Sequence, residues 1–224
     1  MADVARDART IATARANQIA EGQPITTRTR IFLLSPANAS GIKGQRLLAP
    51  ASNCELALRL RNGGVALGEI CRFISSLYFR GKLEYAQRFQ HAPEGVAGVQ
   101  IITGAGLMLP ETVITLERLQ KVSATSIDAM NTSYRLPLDR DLLRLREVTG
   151  SGVDVILLGS VATYKYIDPI KAVFGERLLF PKEFLGVGDM SRGSMLLRSC
   201  VQGRELEYVP VRNIVPRVGR SASR

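Results

Sequence analysis

Three short apolar runs punctuate the chain, and each stops at small or turn-forming residues. The first is Arg30-Ile31-Phe32-Leu33-Leu34, which ends at Ser35-Pro36. The second covers residues 99–103 and ends at Gly104-Ala105-Gly106; the third covers residues 153–158 and ends at Gly159-Ser160. Runs of this length between turn signals read as buried strands. The stretches between them have helical character. Residues 51–60 predict a helix broken at Asn62-Gly63-Gly64, and residues 67–89 predict one or two helices interrupted near Gly81. Residues 116–122 predict a short helix. Residues 131–137 read as an extended connection, and residues 138–148 as a charged helix with Leu142, Leu143 and Leu145 turned inward. A further helix is expected over residues 162–174.

The ends of the chain differ from its middle. Residues 3–21 predict an Ala- and Arg-rich helix stopped by Gly22 and Pro24. After the third apolar run, residues 177–180, 194–201 and 205–211 read as strands, the last two joined as a hairpin through Gln202-Gly203. Residues 212–224 carry four arginines and no acid, and are expected to be a disordered basic tail. The expected organisation is an N-terminal helical appendage over residues 1–30, one α/β domain over 31–211, and the tail. Strands alternating with helices predict a three-layer α/β fold, with a mostly parallel sheet and a C-terminal β-hairpin.

Composition narrows the functional classes. The chain has 224 residues, 46% of them hydrophobic, which suits one domain with a sizeable core. No apolar run approaches the roughly 18 residues of a membrane span. The N-terminus lacks the apolar core of a secretory signal, so a cytoplasmic protein without membrane partners is expected. Three scattered cysteines, Cys54, Cys71 and Cys200, make neither a disulfide framework nor a zinc site. No metal and no cofactor is implied. The single histidine, His91, is either part of a catalytic or metal site or a solvated loop residue. The formal net charge of +10 is supplied mostly by arginine. It points to a phosphate-bearing partner: nucleic acid, DNA before RNA, or a nucleotide.

Four constellations carry candidate chemistry. In an open α/β sheet, ligands bind beyond the carboxyl ends of the strands. The loops there hold Ser35 and Asn38, Gly104 and Gly106, and Ser160, all read as ligand-binding; ordinary turn chemistry is the alternative. Residues 186–194 resemble a phosphate loop in composition, without the Lys-Ser/Thr ending of a nucleoside triphosphatase. Within them Gly188 and Arg192 are candidate ligand-binding residues. Asp189 is the candidate catalytic acid or base, with a turn-forming aspartate as the alternative. In residues 78–85, Arg80, Lys82 and Tyr85 suit phosphate contact and base stacking, unless the stretch is a helix with its aromatics in the core. Tyr164-Lys165-Tyr166 poses the same choice. Arg212, Arg217 and Arg220 extend the candidate nucleic-acid surface into the tail.

The order of motifs resembles the YaaA family of peroxide-stress proteins. Residues 33–37 (Leu-Leu-Ser-Pro-Ala) are similar to the family's opening strand, and residues 102–110 to its central strand turn. Residues 155–169 are similar to its later strand and Tyr-containing helix, and Gly188-Asp189-Met190-Ser191-Arg192 to its terminal Gly-Leu-Met-Ser-Arg. The resemblance implies an α/β fold related to uracil-DNA-glycosylase-like folds, and DNA binding through a basic surface, in DNA damage or modification. It implies no catalytic residue set. The residues by themselves leave open a second class, a nucleotide- or nucleoside-processing enzyme of N-glycosidase or base-transferase type.

Overall fold

The computed structural model describes residues 28–160 and 164–211. Its strands are β1 (Arg30–Leu34), β2 (Val65–Ala66), β3 (Val99–Thr103), β4 (Gly106–Met108), β5 (Val113–Ile114), β6 (Asp154–Leu158), β7 (Leu178–Pro181) and β8 (Tyr208–Pro210). Its helices are α1 (Ile42–Leu48), α2 (Glu55–Asn62), α3 (Leu67–Ile74), α4 (Ser76–Phe89), α5 (Leu116–Ala124), α6 (Thr132–Thr149), α7 (Tyr164–Phe174) and α8 (Asp189–Gln202). The fold is mixed α/β. A six-stranded sheet runs in the order β4-β3-β1-β6-β7-β8, with β2 and β5 forming a separate ribbon. β1 pairs in parallel with β3 and β6, and β6 with β7; only the edge strands β4 and β8 are antiparallel.

The apolar runs become the inner strands because they are buried on both sides. Ile31, Phe32, Leu33 and Leu34 are all fully buried, as are Val155 to Leu158. Neighbouring side chains of a strand point to opposite faces, so helices cover both faces of this sheet. No helix among the described residues is long and apolar enough to cross a membrane. The expected helix over residues 3–21 and the tail 212–224 lie outside the described residues.

Four expectations need correction. Residues 194–201 are not a strand but the body of α8. Gly193, Leu196 and Ser199 are its buried positions, a spacing of three that a helix places on one face. Gly203 is the stop of that helix rather than a hairpin turn. It is left-handed (φ 65°), with Gly203 N–H donating to Cys200 O and Arg204 N–H to Ser199 O, the paired bonds of a glycine helix end. The C-terminal antiparallel pair is therefore β7 with β8, joined through the whole of α8. Second, Gly81 does not interrupt a helix; the break falls at Ser75, between α3 and α4. Gly81 instead lets α8 approach. A Cβ there would lie 2.8 Å from Gly193 O, and one at Gly193 would lie 2.9 Å from Tyr78 Cα.

Third, residues 131–137 are helical from Thr132 onward. Asn131 caps α6 by accepting from Ser133 N–H, and Pro137 sits in the helix without an N–H to donate to the carbonyl four residues back. Fourth, Leu143 faces outward at 51% exposure, while Leu138, Leu142 and Leu145 pack inward.

Candidate functional site

The sheet order creates one preferred place for a ligand. From the carboxyl end of β1 the chain leaves through α1 to α4 and returns as β3 on one side. From the carboxyl end of β6 it leaves through α7 and returns as β7 on the other. Connections that diverge from neighbouring strands leave a crevice at their ends. Ser35 N–H donates to Leu158 O there (3.1 Å). Gly159 lies so close that a Cβ on it would come within 2.8 Å of the Ser35 Cβ. A cleft of ≈ 520 Å³ opens at this end of the sheet, within the usual range for a small-molecule site.

Its walls come from five distant stretches. Residues 36–40 form one side, and Thr103 and Gly104 another. Ile70 and Cys71 of α3 contribute apolar floor, residues 122–127 a hydroxyl-rich rim, and Lys165 and Tyr166 of α7 the far edge. Asn38 spends its carboxamide oxygen on the loop, accepting from Ser40 N–H (3.1 Å) and Ser40 Oγ–H (2.6 Å). Its amide N–H groups are thereby directed elsewhere. Among the described lining residues Lys165 is the only lysine or arginine, and there is no carboxylate. Such a surface favours a neutral or anionic ligand with an apolar body.

Behind this cleft lies a buried polar cluster. Lys82, on α4, is 2% exposed. Its Nζ donates to the Ser35 carbonyl at 2.6 Å and lies 3.0 Å from Ser35 Oγ. It also sits 4.7 Å from the ring centre of Tyr78 and 4.8 Å from that of Phe79. Burial drives the ammonium down from its ordinary value to about 7. Neighbouring Cys71, a cleft residue, is pushed up to about 11 by burial, and the Tyr78 phenol up to about 12. The Tyr78 hydroxyl is buried, and its O–H finds no acceptor among the described residues. The Arg192 guanidinium, a donor only, lies against the phenol oxygen and opposes the upward shift.

The structure thus gathers some expected site residues and separates others. Asn38 and Gly104 line the cleft, and Ser35 and the half-buried Ser160 stand at the strand ends beside it. Gly104 is a glycine for packing: a Cβ there would lie 2.5 Å from Val122 O. Residues 103–106 form the turn between β3 and β4, not a strand-to-helix loop, and Gly106 (φ 98°) faces Asp141 of α6 outside the cleft. Gly188 precedes α8. Arg192 donates to Phe184 O (3.3 and 3.0 Å), lies over the Phe184 ring, and pairs with Asp189 at 3.4 Å. It fastens α8 to the turn at Lys182–Phe184, while Asp189 is 69% exposed; neither lines the cleft.

The expected stacking surface on α4 is also corrected. Lys82 and Tyr85 face inward, Tyr85 fully buried with its hydroxyl bonded to Tyr208 Oη (2.7 Å) and accepting from Leu206 N–H (2.8 Å). Arg80 alone is on the surface, paired with Glu84 one turn on. The helical alternative holds because α4 buries a wide face against the sheet and α8. His91 is exposed, its Nδ1 bonded to Gln90 O, and no cluster of metal ligands occurs among the described residues. Arg212, Arg217 and Arg220 lie outside the described residues. Sequence reasoning did not find Cys71, the hydroxyl rim at residues 123–126, or the Lys82–Ser35 contact. The one available signal was a lysine placed among Tyr78, Tyr85 and Phe89 at helical spacing. No family model, curated protein or solved structure matches the chain.

Proposed function

We propose that this chain binds a small ligand with a flat, apolar body, of the nucleotide or nucleoside class, in the cleft at the carboxyl ends of β1 and β3. The composition of that cleft carries the reading: apolar floor, hydroxyl rim, a lysine at the edge and no carboxylate among the described lining residues. The volume suits a mononucleotide. A glycosidase built on paired carboxylates gains no support, because that chemistry needs two acids facing the sugar. Calorimetric titration with the four ribonucleoside 5′-monophosphates and their parent nucleosides tests the reading. Binding of a monophosphate should weaken about tenfold or more in Lys165→Ala, while the nucleoside is little affected, since one charge-assisted contact is worth about 1.5–3 kcal/mol. Absence of binding by all eight compounds at millimolar concentration refutes it.

A polymeric partner is the second reading. The net charge of +10, the four arginines of residues 212–224 and the YaaA-like motif order support it. Most described arginines near acids are already paired: Arg30 with Glu205, Arg59 with Glu69, Arg135 with Asp139, Arg140 with Asp141. The positive charge of residues 212–224, a stretch without an acid of its own, is then the natural contact for phosphates. Binding to duplex DNA should fall steeply between low and physiological salt, with a slope near 0.9 per phosphate contact. Displacement of DNA by a mononucleotide would place both ligands in the cleft; its absence assigns the polymer to the tail.

A further inference from the structure

We propose that Ser35 and Lys82 form a serine–lysine pair, in which Ser35 Oγ attacks the carbonyl of a small ester and Lys82 serves as its base. This activity goes beyond ligand binding in the cleft and does not depend on the nucleotide reading. A structural role explains Lys82 poorly. Its side chain is buried among Tyr78, Phe79 and Cys71 with no carboxylate bonded to it, and its hydrogen bonds go to one residue, Ser35. Lysine is rarely buried without a partner, because an apolar residue of similar length fills the space without the desolvation cost.

The geometry is that of a nucleophile and its base. Ser35 Oγ and Lys82 Nζ are 3.0 Å apart, within reach for proton transfer. A neutral amine has two N–H groups and one lone pair. One N–H donates to the Ser35 carbonyl (2.6 Å), and the lone pair is free to accept the Ser35 Oγ–H. Burial favours the neutral form at Nζ; of the groups around it, Cys71 on α3 and Asp189 on α8 support the ammonium and Arg192 on α8 opposes it, while Tyr78 on α4 is itself held protonated by burial. The pair stands at the end of β1, where Ser35 keeps 7% exposure and the next residues, Pro36 and Ala37, line the cleft. Tyr166, on the cleft, and Tyr78, beside Lys82, are electrostatic neighbours, so the cluster lies directly behind the cleft wall.

A second, independent feature points to a reacting oxygen. The Tyr78 hydroxyl is buried beside Lys82, and the Arg192 guanidinium next to it can only donate, so the phenol O–H has no acceptor among the described residues. A buried O–H without an acceptor is costly unless something else accepts from it. The oxygen of a tetrahedral intermediate is such an acceptor.

The steps balance. As Ser35 Oγ bonds to the carbonyl carbon, its proton passes to Lys82 Nζ and the carbonyl electrons move to oxygen. These electrons return as the bond to the leaving alcohol breaks, and the alcohol takes the proton from Lys82. Water then adds to the acyl-serine, giving its proton to Lys82. Collapse releases the carboxylic acid, and the proton returns to Ser35 Oγ.

The test uses the full chain and a fluorophosphonate, which phosphonylates an activated serine with loss of fluoride. Intact mass and peptide mapping should show one adduct, on Ser35, forming at a rate that rises with pH and is half-maximal near the value at which Lys82 becomes neutral. Ser35→Ala should take no label. Lys82→Met should fold, by its melting curve, and label at least about 100-fold more slowly. If Lys82→Met does not fold, Ser35→Cys serves instead. Its thiol should react with iodoacetamide with a midpoint well below the ordinary thiol value, because Lys82 stabilises the thiolate. The proposal is overturned if the folded parent leaves Ser35 unlabelled, if Lys82→Met labels like the parent, or if the Ser35→Cys thiol titrates as an ordinary thiol. Nucleotide binding can fail while labelling succeeds, and the reverse, so the two readings are judged separately.

Discussion

Replacing Lys82 by methionine keeps the length of the side chain and removes its amine, and the consequence for stability depends on pH. Lys82 falls from an ordinary value of 10.5 to about 7 in the folded protein. At lower pH both folded and unfolded chains hold the proton, and folding bears the whole cost of burying it. Between the two values the unfolded chain holds a proton that the folded chain has released. Stability therefore rises with pH there, by up to about 1.4 kcal/mol per pH unit. The full span is on the order of 5 kcal/mol. Burial raises Cys71, which works in the opposite direction once unfolded thiols ionise, so the clean window runs from about pH 7 to about pH 8.5.

Within that window the parent should gain about 2 kcal/mol relative to Lys82→Met, whose difference at this site is flat. The variant also leaves the Ser35 carbonyl without its donor, at about 1–3 kcal/mol independent of pH. At neutral pH the cost of burying the amine exceeds the cost of that lost bond. Lys82→Met should therefore be at least as stable as the parent near pH 7 and lose ground as pH rises. Urea denaturation of both proteins at the two ends of the window measures this directly, and subtracting one protein from the other cancels the titrating groups that Lys82 does not influence. A shift of about 4–8 °C in the difference between melting temperatures is the thermal equivalent. A parent-minus-variant difference that does not move with pH would refute a neutral, buried Lys82.

Gly193→Ala should destabilise by about 1–3 kcal/mol despite alanine's better helix propensity, because its Cβ meets the backbone of Leu77 and Tyr78 at 2.9–3.0 Å and neither helix can yield locally; Gly152→Ala, which meets nothing, should stay within about 0.5 kcal/mol by the same denaturation assay. Tyr85→Phe should cost about 1–3 kcal/mol, since Leu206 N–H and Tyr208 Oη lose their partner, and should leave DNA affinity unchanged in a filter-binding assay. Arg192→Ala should lower the melting temperature, because its bonds to Phe184 O hold α8 to the preceding turn; a fall in cleft ligand affinity with unchanged stability would instead make it a binding residue.

The inner strands were legible in the chain. Residues 31–34 and 155–158 are apolar without alternation, and 99–103 is mostly apolar, since a strand buried on both faces has little polar side to show. The small residues after them marked the right end of the sheet for the same reason: strand-to-loop transitions there need tight turns. Local pattern could not say what each glycine was for. Gly81 and Gly193 read as a break and a loop, yet both are contact points between α4 and α8, and only the partner's position distinguishes these roles. Residues 194–201 carry apolar positions that fit either period, and the choice fell to the face that α8 buries on α4. The site shows the same division. Ser35, Asn38 and Gly104 belong to turns that the sequence displays, whereas the cleft also needs Cys71, the hydroxyls of residues 123–126, Lys165 and Tyr166. Lys82 looked like a phosphate contact because charge usually seeks water. Its helix instead aims it inward at Ser35, and burial then gives the amine a proton affinity that no sequence position carries by itself, since that affinity is set by the atoms packed around it.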